Sequence, residues 1–300
     1  MSAVLIDGKE TARIIRAELK EKAAALTAAG MRPGLTVILV GDDPASCSYV
    51  TGKKAACEEL GIFSDSLHLS ADFPEAELLK IIDEKNRDSR IHGILVQLPL
   101  PPHIDENKII GAISPEKDVD GFHPVNVGRM VLEQECFLPC TPHGILQLLM
   151  RSNIDTKGKK AVVLGRSNIV GKPIANLLFQ KQAYGNATVT VCHTATPDLA
   201  AEIKEADILI AAVGRPATVT SDMIKPGAVV IDVGVNRIPD ASKKSGFRLV
   251  GDVDFETVKE KASYITPVPG GVGPMTITML MANTITAAER ALKKRGEKTC

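Results

Sequence analysis

The sequence predicts an α/β protein with two domains, and three observations support this fold class. The chain has 300 residues, which exceeds the size at which a single hydrophobic core usually keeps growing. Short aliphatic and β-branched runs alternate with longer stretches of helical periodicity, which indicates parallel α/β construction. The apolar runs are short and continuous, as is typical of strands covered on both faces.

The first half is predicted to contain strands at Val4–Ile6, Leu35–Gly41, Phe63–Leu69 and Gly93–Leu98. Helices are predicted between them at Lys9–Ala29, Ala45–Leu60 and Pro74–Arg87. Gly30 and Gly61 follow two of these helices, where a left-handed C-terminal cap favours glycine.

A domain boundary is expected after Asp120, because Gly121–His143 is rich in Pro, Gly and Asn and shows no sustained period. The alternation then resumes with helices at Gly144–Arg151, Ile174–Gln182 and Pro274–Lys294, and with strands at Ala161–Gly165, Thr188–Cys192, Ile208–Val213, Val229–Val233 and Tyr264–Pro267. We expect one domain at residues 1–141, with the C-terminal helix 275–300 packing back on it, and a second, Rossmann-like domain at residues 142–274.

Composition excludes several classes of partner. Lysine plus arginine equals aspartate plus glutamate at 36 each, so no global field attracts nucleic acid or an anionic membrane. No apolar stretch approaches the roughly 20 residues that span a bilayer. The N-terminal residues show no secretory signal, and the six cysteines are scattered, which favours reduced thiols and a cytoplasmic location.

No metal site is predicted. Cys136, Cys140 and His143 lie close in sequence, but Pro139 and Pro142 interrupt the cluster. No CxxC pair exists, so a tetrahedral site would need distant ligands.

A dinucleotide site is predicted where the strand Ala161–Gly165 ends in the loop Gly165–Pro173 and a helix follows. Glycine lets the backbone approach a pyrophosphate, and the helix N-terminus presents free N–H groups. The spacing is not GxGxxG, so a tight βα turn without a ligand remains an alternative.

The next strand favours NADP over NAD. NAD enzymes normally carry Asp or Glu at its end for the ribose 2′-hydroxyl, whereas this strand ends in His193 and Thr194. Arg166 in the glycine loop supplies positive charge for a 2′-phosphate, although a surface arginine is the alternative. Later glycines at strand ends and before the last helix are further places where backbone can approach a ligand: Gly214, Gly234, Gly251, Gly270, Gly271 and Gly273.

Candidate chemical groups lie in the first half. Tyr49 and Lys53 are spaced i, i+4 and share one helix face, although a lysine there is more often solvated. Gln97 follows four apolar strand residues, so its amide needs hydrogen-bond partners, on a ligand or in a neighbouring turn. Asp120 either forms a turn or accepts hydrogen bonds from a ligand, and composition does not choose between these roles.

Five segments in order resemble the methylenetetrahydrofolate dehydrogenase/methenyltetrahydrofolate cyclohydrolase family. They are Tyr49–Lys53, Gly93–Pro101, Asp118–Phe122, Gly165–Pro173 and Pro267–Thr276, within a resemblance that runs from about Val4 to Ala291.

The resemblance implies a homodimer of one-carbon metabolism and purine biosynthesis, in which a folate cleft lies between a catalytic domain and an NADP domain. It implies that Lys53 is the catalytic lysine with Tyr49 and Gln97 beside it, and that Asp120 anchors the pterin of a tetrahydrofolate derivative. The remaining implied contacts are Pro267 and Gly271 for substrate, and Gly165, Arg166, Ser167, Gly171, His193, Thr194, Gly214, Val235 and Gly271 for cofactor. Thr194 stands where the family commonly has serine.

The expected activity is NADP-dependent oxidation of 5,10-methylenetetrahydrofolate, followed by hydrolysis of the methenyl product to 10-formyltetrahydrofolate. Three alternatives remain: a family member with only one activity, an amino-acid or shikimate-type dehydrogenase, and a non-catalytic NADP-binding module.

Overall fold

The structure is a computed structural model and describes residues 2–243 and 246–297. Its α-helices are α1 Gly8–Ala28, α2 Pro44–Leu60, α3 Glu75–Arg87, α4 Glu106–Ala112, α5 Pro124–Val131, α6 Cys140–Arg151, α7 Gly171–Phe179, α8 Leu199–Lys204, α9 Phe255–Val258 and α10 Val272–Glu297. Its strands are β1 Val4–Leu5, β2 Gly34–Val40, β3 Phe63–Leu69, β4 Gly93–Val96, β5 Lys160–Leu164, β6 Thr188–Cys192, β7 Ile208–Ala211, β8 Val229–Asp232, β9 Asn236–Pro239, β10 Phe247–Val250 and β11 Tyr264–Ile265.

The chain forms two units. The six-stranded unit comprises the chain up to Ala12 and Thr141–Thr276. Its sheet has the order β1-β11-β8-β7-β5-β6, and every neighbouring pair is parallel. The chain order reverses between β5 and β7, and in open α/β sheets the crevice at such a switch point binds ligands. A buried cluster that includes Val162, Leu209 and Val230 forms the core.

The three-stranded unit comprises Arg13–Cys140 and the chain from Ile277 onward. Its parallel sheet has the order β3-β2-β4, with β2 in the centre and buried along its whole length. Ile38 of β2 belongs to a buried cluster with Leu78 and Ile82 of α3 and with Ile94 of β4. Because β2 and β4 are parallel neighbours, the residues that follow the two strands lie at the same edge of this sheet.

The predicted strands β3 and β6 have the expected bounds, and the other predicted strands differ by one or two residues at their ends. Gly30 and Gly61 have the expected positive φ, and the N–H of Gly61 caps α2 by donating to the carbonyls of Cys57 and Glu58. The hairpin of β9 and β10 was not expected.

The first strand differs most from expectation, because β1 pairs in parallel with β11 in the six-stranded sheet. The amide of Ile6 donates to the carbonyl of Ile265 at 2.9 Å, although 259 positions separate them in the sequence. The sequence-based domain of residues 1–141 therefore differs from the unit at its first residues, and positions 298–300 of the expected C-terminal helix lie outside the described residues.

The expectation of an irregular connection at Gly121–His143 was wrong. His123 caps α5 by accepting a hydrogen bond from the amide of Val125 at 3.1 Å, and Pro124 occupies the first turn. Helix α6 begins at Cys140, four residues before its predicted start. Helix α4 was also unexpected.

None of the helices in the described ranges combines the length and apolar character needed to traverse a bilayer. The cysteines at positions 47, 57, 136, 140 and 192 are free thiols.

Candidate active site

Lys53 lies on α2, whose first turn is fixed by Asp43 accepting a hydrogen bond from the amide of Ser46 at 2.8 Å. Only 6% of Lys53 is exposed, so this lysine is not a solvated surface residue. Its Nζ donates to Oε1 of Gln97 at 2.8 Å. The structure thus joins two groups that are 44 positions apart in the sequence.

Gln97 follows β4, and its backbone N–H donates to the carbonyl of Ile38 at 2.8 Å in the centre of the sheet. Its side-chain Nε2 donates to the carbonyl of Leu98 at 2.7 Å. Because that bond takes the nitrogen of the amide group, Oε1 faces Lys53. The expected neighbouring turn thus binds the nitrogen of the side-chain amide, and Lys53 binds its oxygen. Contact of Gln97 with a ligand stays a prediction.

Asp120 lies in a loop that is organised by another carboxylate. Asp118, 2% exposed, accepts hydrogen bonds from the amides of Phe122 at 3.2 Å and His123 at 2.8 Å and from Nδ2 of Asn126 at 2.8 Å. Gly121 has φ +77°, and a Cβ there would lie 2.6 Å from the nitrogen of Pro139. The turn-forming role thus belongs to Asp118, and the sequence analysis missed both Asp118 and Asn126.

For both Lys53 and Asp120, burial and the charge of the other residue shift the pKa in opposite directions. Burial lowers the pKa of Lys53, and the nearby Asp120 carboxylate raises it in partial compensation. Burial raises the pKa of Asp120, while Lys53 and the thiol of Cys140 lower it. The two groups therefore share a low-dielectric environment, in which burial favours the neutral form of Lys53.

Asn283 on α10 holds the backbone beside Asp120. Its Nδ2 donates to the carbonyl of Val119 at 2.8 Å and to that of Leu138 at 3.0 Å, and 6% of the residue is exposed. The thiol of Cys140 donates to the same Val119 carbonyl at 3.3 Å. The sequence analysis also missed Asn283, whose signal is an amide among the buried apolar residues Met279, Leu280 and Ala287 of α10.

Tyr49 lies one helical turn before Lys53, and partial burial raises the pKa of its phenol. Gly52 lies between them, and a Cβ there would approach Cδ1 of Ile277 to 3.1 Å. The glycine is thus explained by packing against α10, within the three-stranded unit.

In the six-stranded unit, the glycine loop after β5 forms a tight cradle. Gly165 has φ +111°, and a Cβ there would lie 2.1 Å from the carbonyl oxygen of Ala212. A Cβ on Gly171 would lie 2.2 Å from the carbonyl oxygen of Gly165. Oγ of Ser167 accepts hydrogen bonds from the amides of Val170 and Gly171, both at 3.2 Å, so its own proton remains available to donate.

The end of β6 carries no carboxylate aimed at a ribose. His193 accepts a hydrogen bond at Nδ1 from the amide of Ala195 at 3.2 Å, and Thr194 is exposed. The nearest downstream acid, Asp198, caps α8 by accepting from the amide of Ala201 at 2.9 Å. Arg166 is exposed in the glycine loop. This donor set suits a phosphorylated ribose better than a free 2′-hydroxyl.

Gly214 and Val235 follow β7 and β8, at the same edge of the sheet as Gly165. Gly214 has φ +69°, and Val235 is 48% exposed. Gly271 is close-packed, because a Cβ there would lie 2.7 Å from the carbonyl oxygen of Pro267.

The structure brings Lys53, Gln97 and Asp120 together in the three-stranded unit. The residues predicted to bind the cofactor, and also Pro267 and Gly271, belong to the six-stranded unit. Their placement relative to Lys53 stays a prediction. In residues 2–243 and 246–297, no group of three or more His, Cys, Asp or Glu side chains is arranged to hold a metal ion.

Comparison with known proteins identifies the family. Residues 6–120 match the catalytic domain, and residues 139–292 the NAD(P)-binding domain, of tetrahydrofolate dehydrogenase/cyclohydrolase. The bifunctional protein FolD of Moorella thermoacetica is 60% identical over 290 residues, which cover 97% of this chain and 100% of that protein.

Solved structures agree. The bifunctional FolD of Campylobacter jejuni has a TM-score of 0.91 and 51% identity, with 96% of this chain and 99% of that chain covered. The Trypanosoma brucei methylenetetrahydrofolate dehydrogenase-cyclohydrolase, complexed with NADP and an inhibitor, has a TM-score of 0.93 and 43% identity, with 98% and 99% covered. The chain therefore belongs to the tetrahydrofolate dehydrogenase/cyclohydrolase family.

Proposed function

We propose that this chain oxidises 5,10-methylenetetrahydrofolate with NADP and hydrolyses the methenyl product to 10-formyltetrahydrofolate. The observation that carries the proposal is the buried Lys53–Gln97 pair beside Asp120, in a chain 60% identical to a bifunctional FolD. Family membership argues against an amino-acid or shikimate-type dehydrogenase.

NADP suits the loop after β5. The positions of Gly165 and Gly171 leave no room for side chains, Ser167 retains a donor, and Arg166 offers positive charge to a 2′-phosphate. Cofactor contacts from His193, Thr194, Gly214, Val235 and Gly271 are part of the same proposal. When bound, NADP supplies the hydride acceptor for the oxidation.

Asp120 is proposed to orient the folate. The N3–H and 2-amino group of a pterin form a planar donor pair, and a carboxylate accepts such a pair in bidentate fashion. Since Asp118 makes the hydrogen bonds of the turn, the Asp120 carboxylate is not needed there, and it lies beside Lys53 and the thiol of Cys140. Tyr49, Pro267 and Gly271 are proposed as further substrate contacts.

Lys53 is proposed to move protons in the hydrolysis. Water adds to the methenyl carbon, and neutral Lys53 accepts a proton from that water. The bond from this carbon to N5 then breaks as the formyl C=O forms, N5 gains a proton, and one proton in total is released to solvent. Gln97 holds the lysine amine through Oε1, and burial lowers the lysine pKa so that the neutral form is accessible.

The organisation of the protein is proposed as follows. Residues 1–141 with the C-terminal helix bind folate, residues 142–274 bind NADP, and the folded chain forms a homodimer in the cytoplasm. The free thiols among the described cysteines suit a reducing compartment. Light scattering of the purified protein tests the dimer.

One assay pair tests the function. With methylenetetrahydrofolate and NADP, formation of NADPH and methenyltetrahydrofolate is followed by absorbance. With methenyltetrahydrofolate alone, loss of its absorbance reports hydrolysis without cofactor. Activity in both assays is expected; activity in only one would identify a single-function member, and activity in neither would leave a binding module.

A further inference from the structure

Two buried aspartates lie where the strands of the six-stranded sheet reach their carboxyl ends, the edge at which Gly165, Gly214 and Val235 also lie. Asp232 is the last residue of β8 and is 3% exposed, and Asp252 follows β10 and is fully buried at 0%. Neither belongs to the residues proposed above to bind substrate or cofactor. A buried carboxylate is costly unless its oxygens accept hydrogen bonds, so its partners indicate its role.

Asp252 accepts four hydrogen bonds from two loops. Its Oδ2 accepts from the amides of Val213 at 2.7 Å and Gly214 at 2.9 Å. Its Oδ1 accepts from the amide of Arg215 at 3.0 Å and from Nδ2 of Asn236 at 2.9 Å. One side chain thus fixes three successive backbone amides after β7 and a side chain after β8.

Asp232 completes the arrangement from the other side. Its Oδ1 accepts from the amides of Gly234 at 3.0 Å and Asp252 at 2.9 Å, and its Oδ2 accepts from the amide of Val253 at 3.0 Å. Asp232 therefore holds the backbone that carries Asp252, and Asp252 in turn holds the backbone after β7. Burial raises the pKa of Asp232 to about 7, as expected for a carboxylate enclosed beside a second one.

Two glycines make room for this pair. A Cβ on Gly251 would lie 1.8 Å from Oδ2 of Asp232, and a Cβ on Gly234 would lie 2.2 Å from Oδ1 of Asp252. These glycines at strand ends therefore admit carboxylates of the protein itself, and a ligand is not needed to explain them.

We infer that Asp252, supported by Asp232, is a positioning residue that sets NADP affinity by fixing the loops that carry Gly214 and Val235. Those loops follow β7 and β8 beside the topological switch point, where the sheet is expected to hold its ligand. The inference rests on the proposed NADP dependence. It assigns neither aspartate a part in hydrolysis of the methenyl substrate, whose proposed proton carrier is Lys53.

The variant Asp252→Asn tests this inference. The aspartate has two acceptor oxygens, whereas asparagine has one acceptor oxygen and one NH₂ group that donates. In the variant, the NH₂ group takes the place of one carboxylate oxygen and meets the N–H groups that donated to it. Isothermal titration of the full chain with NADP⁺ is expected to show a dissociation constant raised at least about tenfold. Cofactor-free hydrolysis of methenyltetrahydrofolate is expected to stay within about twofold of the unchanged protein.

Asp254→Asn is the matched control, because Asp254 lies two residues away and accepts from the hydroxyl of Thr257 at 2.7 Å. It is expected to leave NADP⁺ binding unchanged. Gly251→Ala is the second test variant: it keeps both carboxylates but crowds Asp232, and it is expected to weaken NADP⁺ binding selectively as well.

The outcomes separate the possible failures. A folded Asp252→Asn protein that binds NADP⁺ as tightly as the unchanged chain overturns the inference, as does an equal loss of hydrolysis and binding in both test variants. Failure of the unchanged chain to bind NADP⁺ would instead remove the proposed cofactor.

Discussion

Nζ of Lys53 donates to Oε1 of Gln97 at 2.8 Å, and the same amide is held from its other end by the carbonyl of Leu98. The lysine amine is therefore positioned by a group that carries no charge. A carboxylate in that position would stabilise the ammonium, whereas a neutral amide leaves burial to lower the lysine pKa. This relationship allows two direct tests of the proposed proton carrier.

Lys53→Met is expected to lower cofactor-free hydrolysis of methenyltetrahydrofolate by about a hundredfold or more, because methionine is an unbranched side chain one atom shorter than lysine and carries no titratable proton. Loss of methenyl absorbance measures the rate. Lys54→Met is the control, since Lys54 is the adjacent residue and is exposed. Full hydrolysis by the Lys53 variant would remove the role proposed for this lysine.

Gln97→Glu is expected to move the pH profile of hydrolysis to higher pH by about one unit or more. A carboxylate beside Nζ favours the ammonium and raises the pKa of Lys53, so the neutral amine appears only at higher pH. Gln97→Met removes the acceptor without adding charge, and it should not produce this alkaline shift. An unmoved profile in the glutamate variant would show that the ionisation of Lys53 does not govern the rate.

The helix starts reveal what the sequence analysis misjudged in the fold. Helices α6, α7 and α10 each begin two residues before a proline, namely Pro142, Pro173 and Pro274. The predicted starts lay at or after these prolines. Proline is tolerated in a first turn because the N–H groups there have no partner within the helix, so proline marked the inside of each helix and not its boundary.

The residues of the candidate site fall into two groups: those that local sequence patterns indicate and those whose role depends on contacts distant in the sequence. Helix spacing, an amide after an apolar strand and a strand–loop–helix order are short-range signals, and they singled out Lys53, Gln97 and the glycine loop as candidates. The catalytic role of Lys53 came only from the family resemblance. The short-range signals did not distinguish Asp118 from Asp120, since that depends on which carboxylate meets Asn126. Nor did they indicate Asn283, whose partner Val119 is 164 positions away.

His143 predicts a pH dependence of stability. Burial lowers its pKa to about 4, and its Nδ1 is buried with no hydrogen-bond partner in the structure. A histidine whose folded pKa lies below its unfolded value of about 6.5 contributes stability above that pH. This contribution is lost as the pH falls from about 6.5 towards 4, because the unfolded chain then binds the extra proton.

His143→Gln is therefore expected to reduce the fall in thermal midpoint between about pH 6.5 and 4.5, measured by circular dichroism. His103→Gln, at an exposed histidine, is the control and should retain the full dependence. The same acid sensitivity in the His143 variant as in the unchanged chain would contradict the assignment.

Arg166 predicts the choice between NADP and NAD. If its guanidinium contacts the 2′-phosphate, then Arg166→Ala removes a charge-assisted hydrogen bond and weakens NADP⁺ binding by about tenfold or more. NAD⁺ has no 2′-phosphate, so its binding is expected to change little. Isothermal titration with each dinucleotide measures both values on the same protein.

Lys172→Ala provides the comparison, because Lys172 is a second exposed cation beside the loop and its Nζ donates to Oδ1 of Asn168 at 2.6 Å. A general electrostatic attraction would be weakened to a similar extent by either substitution, and it would be weakened for both dinucleotides, since each carries a pyrophosphate. A specific contact is lost only with Arg166 and only for NADP⁺. Equal losses in the two variants would therefore assign cofactor preference to the net charge of the loop, and Arg166 would become one contributor to that charge.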